Sequence, residues 1–390
     1  MSITHTKYLI SSFKIRSIFP QLFIITCIVD PMDFFKLKVP FFILSILINL
    51  NLFRNIKKEF LLSITLFILI PLSSVIFYEI TDGTRPFEGY NYLKAYLLVI
   101  ISIVFFENPN FYFKVFLKFI RLIIIANILL YLLIIIFPDI FNIIYNFGRT
   151  YDIFTIEYRD FFLGAEIPSF YFNVSPLYIF PFVHYLFNSR VEKNKINLFW
   201  FLISLLGIVA TLNRTNVFIA LIVVFLYSFF YNKKTLILIF PIMILLIDWI
   251  VVYQYLESIF STTEISNMTK LGYLDEYVVK LWDTNIFLFG EGLGSYTFWS
   301  SNGVLKSVTE LTYFEIIRYY GIFGAFFLIV LMLYPALKCL KKSFKTKVVG
   351  LAFLFFLIMS STNPMLFNSI GMLMFSLILS FSYKIEIKNE

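Results

Sequence analysis

Lys338-Cys339-Leu340-Lys341-Lys342-Ser343-Phe344-Lys345-Thr346-Lys347 sets five lysines between two apolar stretches, 311–335 and 347–361. Lys and Arg in short loops between hydrophobic segments stay on the cytoplasmic side, so this run reads as an inside loop joining two membrane helices. Working outward, basic clusters recur on every second loop. They are Lys7, Lys14 and Arg16 at the N-terminus, then Arg54, Lys57 and Lys58, then Lys114, Lys118 and Arg121, then Arg190, Lys193 and Lys195, then Lys233 and Lys234. With Glu59, Glu107 and Glu192 counted, the inside segments carry +16, the C-terminal tail is neutral, and the segments between carry −8, which closes on the net charge of +8.

This alternation predicts twelve spans, near 17–30, 38–53, 60–80, 91–106, 115–137, 169–188, 196–212, 214–231, 235–255, 311–335, 347–361 and 365–383, with both termini inside. Several are shorter than the roughly 20 residues a helix needs to cross the hydrocarbon core. A hydrophobic share of 60% and a mean hydropathy of +0.86 still exclude a soluble chain of this length. The fold class expected is an all-α polytopic membrane protein, one integral domain over 1–390. The basic balance follows from topology, because the cations are dispersed over separate loops; no nucleic-acid footprint is implied. Cys27 and Cys339 fall in or at the end of spans, so no external disulfide is expected.

Two outside loops are long enough for a site: 138–168, with Arg149, Asp152, Glu157, Arg159, Asp160 and Glu166, and 256–310. Long ordered loops usually carry function. In the second, Leu271, Leu274, Val278 and Leu281 have helical spacing, which fits an amphipathic helix on the membrane face or an element capping the bundle. Gly290-Glu291-Gly292-Leu293-Gly294-Ser295 follows. Its glycines permit close backbone approach, but it lacks the Lys-Ser/Thr ending of a P-loop and the strand–helix setting of a dinucleotide fingerprint.

Neither His5 nor His184 lies where it can reach an outside site, so a general base there must be a carboxylate, or the reaction must run without a strong one. No His/Cys cluster suggests zinc. Arg214, in a tight outside turn, is either an interfacial arginine with its charge in the headgroups or a cation for a phosphate group. Arg318 is either the i, i+3 partner of Glu315 or part of a site.

Asn213-Arg214-Thr215 in a helical hairpin, Trp282 and the Gly290–Gly294 segment in a long loop, and Tyr320-Gly321-Ile322-Phe323-Gly324 in the next helix occur in that order. Over residues 196–335 the chain thus resembles the bacterial O-antigen polymerase–ligase superfamily of membrane glycosyltransferases. The resemblance implies a GT-C-like architecture in the bacterial inner membrane and no cofactor or metal. The implied partners are the lipid bilayer, an undecaprenyl-pyrophosphate-linked oligosaccharide and a chain-length regulator. Two departures stand out: Asn213 replaces the usual Ser, and Glu310 occupies the position of the ligase histidine. The second favours an O-antigen or capsular polysaccharide polymerase over a ligase. On that resemblance Arg214, Arg318 and Lys280 would hold the donor pyrophosphate, Glu310 would be the catalytic carboxylate, and Arg149 and Arg159 would contact the acceptor. A ligase and a lipid-linked oligosaccharide flippase are the alternatives.

Overall fold

The computed structural model describes residues 15–31, 33–81, 88–151, 154–162, 165–192, 194–211, 213–231, 265–299, 304–306, 308–362 and 365–384. They form mainly helices. The first five are α1 (Ile18–Val29), α2 (Lys38–Ile48), α3 (Lys58–Thr81), α4 (Glu88–Leu97, continuing through a 3-10 turn to Phe105) and α5 (Pro109–Ile136). After these come α6 (Phe141–Tyr151), α7 (Ile179–Glu192), α8 (Lys195–Ala210), α9 (Arg214–Tyr231) and α10 (Ile265–Leu281). The last are α11 (Thr284–Phe289), α12 (Thr312–Leu340), α13 (Phe344–Met359) and α14 (Ser369–Tyr383).

Among the described residues, α3, α4 with its extension, α5 and α12 are long and apolar enough to cross a membrane. Helices α1, α2, α8, α9 and α14 are apolar but shorter. At 1.5 Å per residue, α1 rises about 18 Å, well short of a hydrocarbon core of roughly 30 Å. The helical membrane character expected from the sequence therefore holds, while twelve full-length spans are not seen helix by helix. The span expected at 235–255 lies outside the described residues.

Packing shows which faces are buried against other helices and which are left exposed. On α12, Phe323, Phe326, Phe327, Val330, Tyr334 and Leu337 are all exposed and form one stripe along the helix, while Ala325, Leu328, Met332, Ala336 and Cys339 are buried. An exposed apolar face of this length has no place on a soluble monomer. Helix α14 differs: every residue from Ser369 to Tyr383 is buried. It packs among α1, α4, α5, α12 and α13. Its hydroxyls are satisfied inside, with Ser380 Oγ 2.8 Å from the carbonyl of Ser102 and Ser376 Oγ 2.6 Å from that of Met372. A helix apolar on all sides is stable only where it is surrounded.

The contacts also sort by end. Lys342 Nζ donates to the carbonyl of Phe381, Lys384 Nζ to that of Glu107, and Ser63 bonds Tyr383; charge patterning assigns all of these to one side. Lys38 Nζ donates to the carbonyl of Pro31 and to Ser369 Oγ, which the same patterning expects on the other.

The described residues are mainly helical, as expected of an all-α membrane protein, and two antiparallel hairpins in the long loops add to the helices. Strands β1 (Phe154–Phe162) and β2 (Ala165–Phe172) pair with Phe154 opposite Phe172 and Arg159 opposite Ile167. Strands β3 (Thr297–Trp299) and β4 (Val304–Lys306) pair in the second long loop. The first hairpin extends past 168, so the next helix begins at Ile179 rather than 169. The rings of Phe154, Phe170 and Phe172 hold it together, with centroids 4.6–5.5 Å apart.

Candidate functional site

Helix α12 breaks at Gly321, where φ is 65° and ψ is 175°, a conformation essentially restricted to glycine. The Gly290–Ser295 segment docks onto this break. The amide of Glu291 donates to the carbonyl of Arg318 at 2.7 Å and that of Gly292 to the carbonyl of Tyr319 at 3.2 Å. Ser74 Oγ on α3 also donates to the Tyr319 carbonyl, at 2.9 Å, and accepts from the amide of Leu293 at 2.8 Å. Side chains cannot fit between the two backbones: a Cβ on Gly290 would stand 2.5 Å from the Tyr319 carbonyl oxygen, and one on Gly321 would run into the Leu288 carbonyl. Further along the loop, Tyr296 Oη donates to Glu88 Oε1 on α4 at 2.8 Å. One loop thereby ties together α3, α4 and α12.

The docking brings four charges together. Arg318 Nε and Nη2 reach Glu315 Oε2 at 2.9 and 2.7 Å. Its Nη1 reaches Glu291 Oε2 at 2.9 Å and Ser295 Oγ at 2.8 Å. Glu291 Oε1 accepts from Lys280 Nζ at 2.5 Å, and Glu315 Oε1 accepts from the amide of Thr309 at 2.8 Å. The Tyr319 ring covers the guanidinium, 4.4 Å from Cζ. Exposure rises outward through the group, from 0% at Arg318 and 5% at Glu315 to 16% at Glu291 and 24% at Lys280. Removing one member of a buried ion pair typically costs about 3–5 kcal/mol, because the other is left uncompensated. Burial opposes ionisation of Glu291, but Arg318 and Lys280 outweigh it and hold the carboxyl below its ordinary value.

Helix α10 packs beside this cluster through Tyr273 and Tyr277. Tyr277 Oη lies 2.7 Å from Thr309 Oγ1, and its ring stacks on Phe314. The packed face is thus tyrosine-lined, whereas Leu271 and Val278, with Met268, Val279 and Trp282, remain exposed. The helix was legible in the sequence; which face it buries was not.

The structure brings Lys280 and Arg318 together through Glu291. Glu310 is 54% exposed and pairs with Lys270 at 3.5 Å. Arg149 lies in α6 and Arg159 in β1, and Arg214 opens α9; the side chains of these three lie outside what the structure describes. Asn213 Oδ1 accepts from the amide of Asn216 at 3.2 Å, so Asn213 caps α9. Ser and Asn fill that role about equally, which gives the Ser-to-Asn departure a physical account. Glu291 and Ser74 escaped the sequence reading. Glu291 sat in plain view inside the glycine motif, while nothing in the sequence near Ser74 marks it. Among the described residues, no group of three or more His, Cys, Asp or Glu is placed to hold a metal ion.

No protein-family model matches the chain, nor does any curated protein or solved structure.

Proposed function

We propose that this protein is a membrane glycosyltransferase, a polysaccharide polymerase that joins undecaprenyl-pyrophosphate-linked O-antigen or capsular repeat units at the outer face of the bacterial inner membrane. The observation that carries the reading is the seating of Gly290–Ser295 on the Gly321 break. The two glycine motifs behind the family resemblance are distant in sequence and form one junction, with charged groups beside it. The charge alternation supports an N-in, C-in orientation that puts this junction outside.

In this reading the roles divide by exposure. Lys280, the most exposed member of the cluster, meets the donor pyrophosphate by exchanging its bond to Glu291. Arg318, sealed behind it, is a positioning residue that fixes Glu291 and the loop. Arg214 at the start of α9 adds a second cation, beside backbone N–H groups that themselves favour an anion. An acceptor hydroxyl attacks the anomeric carbon from the face opposite the leaving group, forming the new C–O bond with inversion. The bond to the lipid pyrophosphate breaks with its electron pair going to phosphate oxygen, where the cations stabilise the charge. The hydroxyl proton passes to Glu310, whose exposed carboxylate is held by Lys270. Arg149 and Arg159 in the first loop contact the acceptor, and a chain-length regulator would act beside the complex.

A flippase requires a polar passage through the bundle, and charged side chains within spans are what mark one. The buried charges of α12, Glu315 and Arg318, lie in its first two turns against the docked loop, and the wholly buried α14 is uncharged, which favours the polymerase over that alternative.

Deleting the gene in its host and resolving surface glycolipids on a gel tests the reading. Core carrying a single repeat unit, with the ladder lost, is the expected result. Bare core rejects it: polymer retained on the lipid carrier then points to a ligase, and no carrier-linked sugar outside points to a flippase. Full polymer length from Lys280→Met and Glu310→Gln at matched expression would remove those residues from the site.

A further inference from the structure

A second feature lies at the other end of α12, about 28 Å along the helix from Gly321 at 1.5 Å per residue. Helices α7, α9, α12 and α13 border a partly open cavity of about 200 Å³ there, walled by Phe187, Val223, Leu226 and Phe355 among others. Among the described residues its one charged lining group is Lys347. Tyr231 also lines it, and the Arg190 guanidinium stacks 4.6 Å from the Tyr231 ring centroid. Both cations are exposed, and among the described residues neither is paired with a carboxylate. Other lysines of the 338–347 run are committed elsewhere: Lys342 donates to the carbonyls of Phe381 and Lys384, and Lys338 lies over the Tyr383 ring.

An apolar cavity between membrane helices with cations from two of them at its edge has the chemistry of an amphiphile with a negative headgroup. We propose that the cavity takes an acyl chain of an anionic glycerophospholipid, with its phosphate on Lys347 and Arg190. Basic pockets between membrane helices on the cytoplasmic side suit such headgroups. A zwitterionic lipid also carries a phosphate, but its own cation opposes two positive side chains. This inference is independent of the polymerase reading.

Native mass spectrometry of the full-length protein tests it, with phosphatidylglycerol, phosphatidylcholine and inorganic phosphate titrated separately. Phosphatidylglycerol should be retained in preference to phosphatidylcholine, and free phosphate should not displace it. The double variant Lys347→Gln/Arg190→Gln should weaken phosphatidylglycerol binding by about fivefold per cation removed. Lys341→Gln/Lys345→Gln, in the same run but off the cavity, should leave binding unchanged, and Leu351→Trp, which fills the cavity, should lower it with the charges intact. Equal losses from the two charge pairs would mean diffuse attraction to a basic surface and overturn the proposal. So would equal retention of the two lipids, or displacement by inorganic phosphate, which would mark a simple anion site.

Discussion

Arg318 has no exposed surface, yet its guanidinium reaches carboxylates from two separate segments, Glu315 one turn back and Glu291 in the loop. The i, i+3 pairing with Glu315 could be read from spacing, because residues three apart share a helix face. The second partner could not, since a separation of 27 residues between Glu291 and Arg318 fixes no distance in space. A pH dependence follows from Glu291. Its folded value lies below the ordinary 4.5 because Arg318 and Lys280 outweigh burial. A carboxyl depressed in this way stabilises the docked loop above the unfolded value, and that contribution is lost as pH falls through the folded value. Limited proteolysis within 284–299 should therefore accelerate in the wild type only below about pH 4.5. Lys280→Met should move the onset upward, and Glu291→Gln should remove this acid step. An onset unmoved in both variants would show that Glu291 does not anchor the loop.

At the scale of elements, α12 owes its shape to one residue. Gly321→Ala would place a Cβ against the Leu288 carbonyl in a backbone region that strains other residues by about 1–3 kcal/mol. Loop and helix must then separate. Hydrogen exchange should rise across 288–296 while the segment 325–339, buried through Leu328, Met332 and Ala336, keeps its protection; unchanged exchange at 288–296 would contradict the docking. The hairpin β1–β2 carries a different lesson. Phe154-Thr155-Ile156-Glu157-Tyr158-Arg159 alternates apolar and polar residues, the period of a half-buried strand. The same segment lies between charge-sorted spans, where its polar residues also fit an outside loop. Helix α10 was recoverable from its spacing, but apolar residues there do not identify the packed face when lipid is also a solvent for them.

For the whole molecule, orientation is the property that charge predicts most directly. Cysteine labelling in intact and permeabilised cells checks it, and the native cysteines contribute little background because Cys27 and Cys339 are fully buried. Trp282→Cys, at a position 85% exposed, should react with an impermeant maleimide in intact cells. Lys345→Cys, in the dense basic run, should react only after permeabilisation. The reverse pattern would invert the topology and move the glycine junction to the cytoplasmic side.

Hydrophobic lengths by themselves determined the helical membrane character, because it is a local response of side chains to water or lipid; the charge alternation adds an expected sorting of the loops into two sets. Asn213 as a capping residue and the 318/315 pair were within reach for the same local reason. Only the tertiary structure decided that α14 is the enclosed helix, that Gly290 and Gly321 meet, and that Arg318 faces carboxylates rather than open solvent. Each of these depends on contacts between segments remote in sequence. A bilayer, accepting any apolar face, leaves no mark in the hydrophobic pattern to distinguish a helix facing lipid from one facing protein.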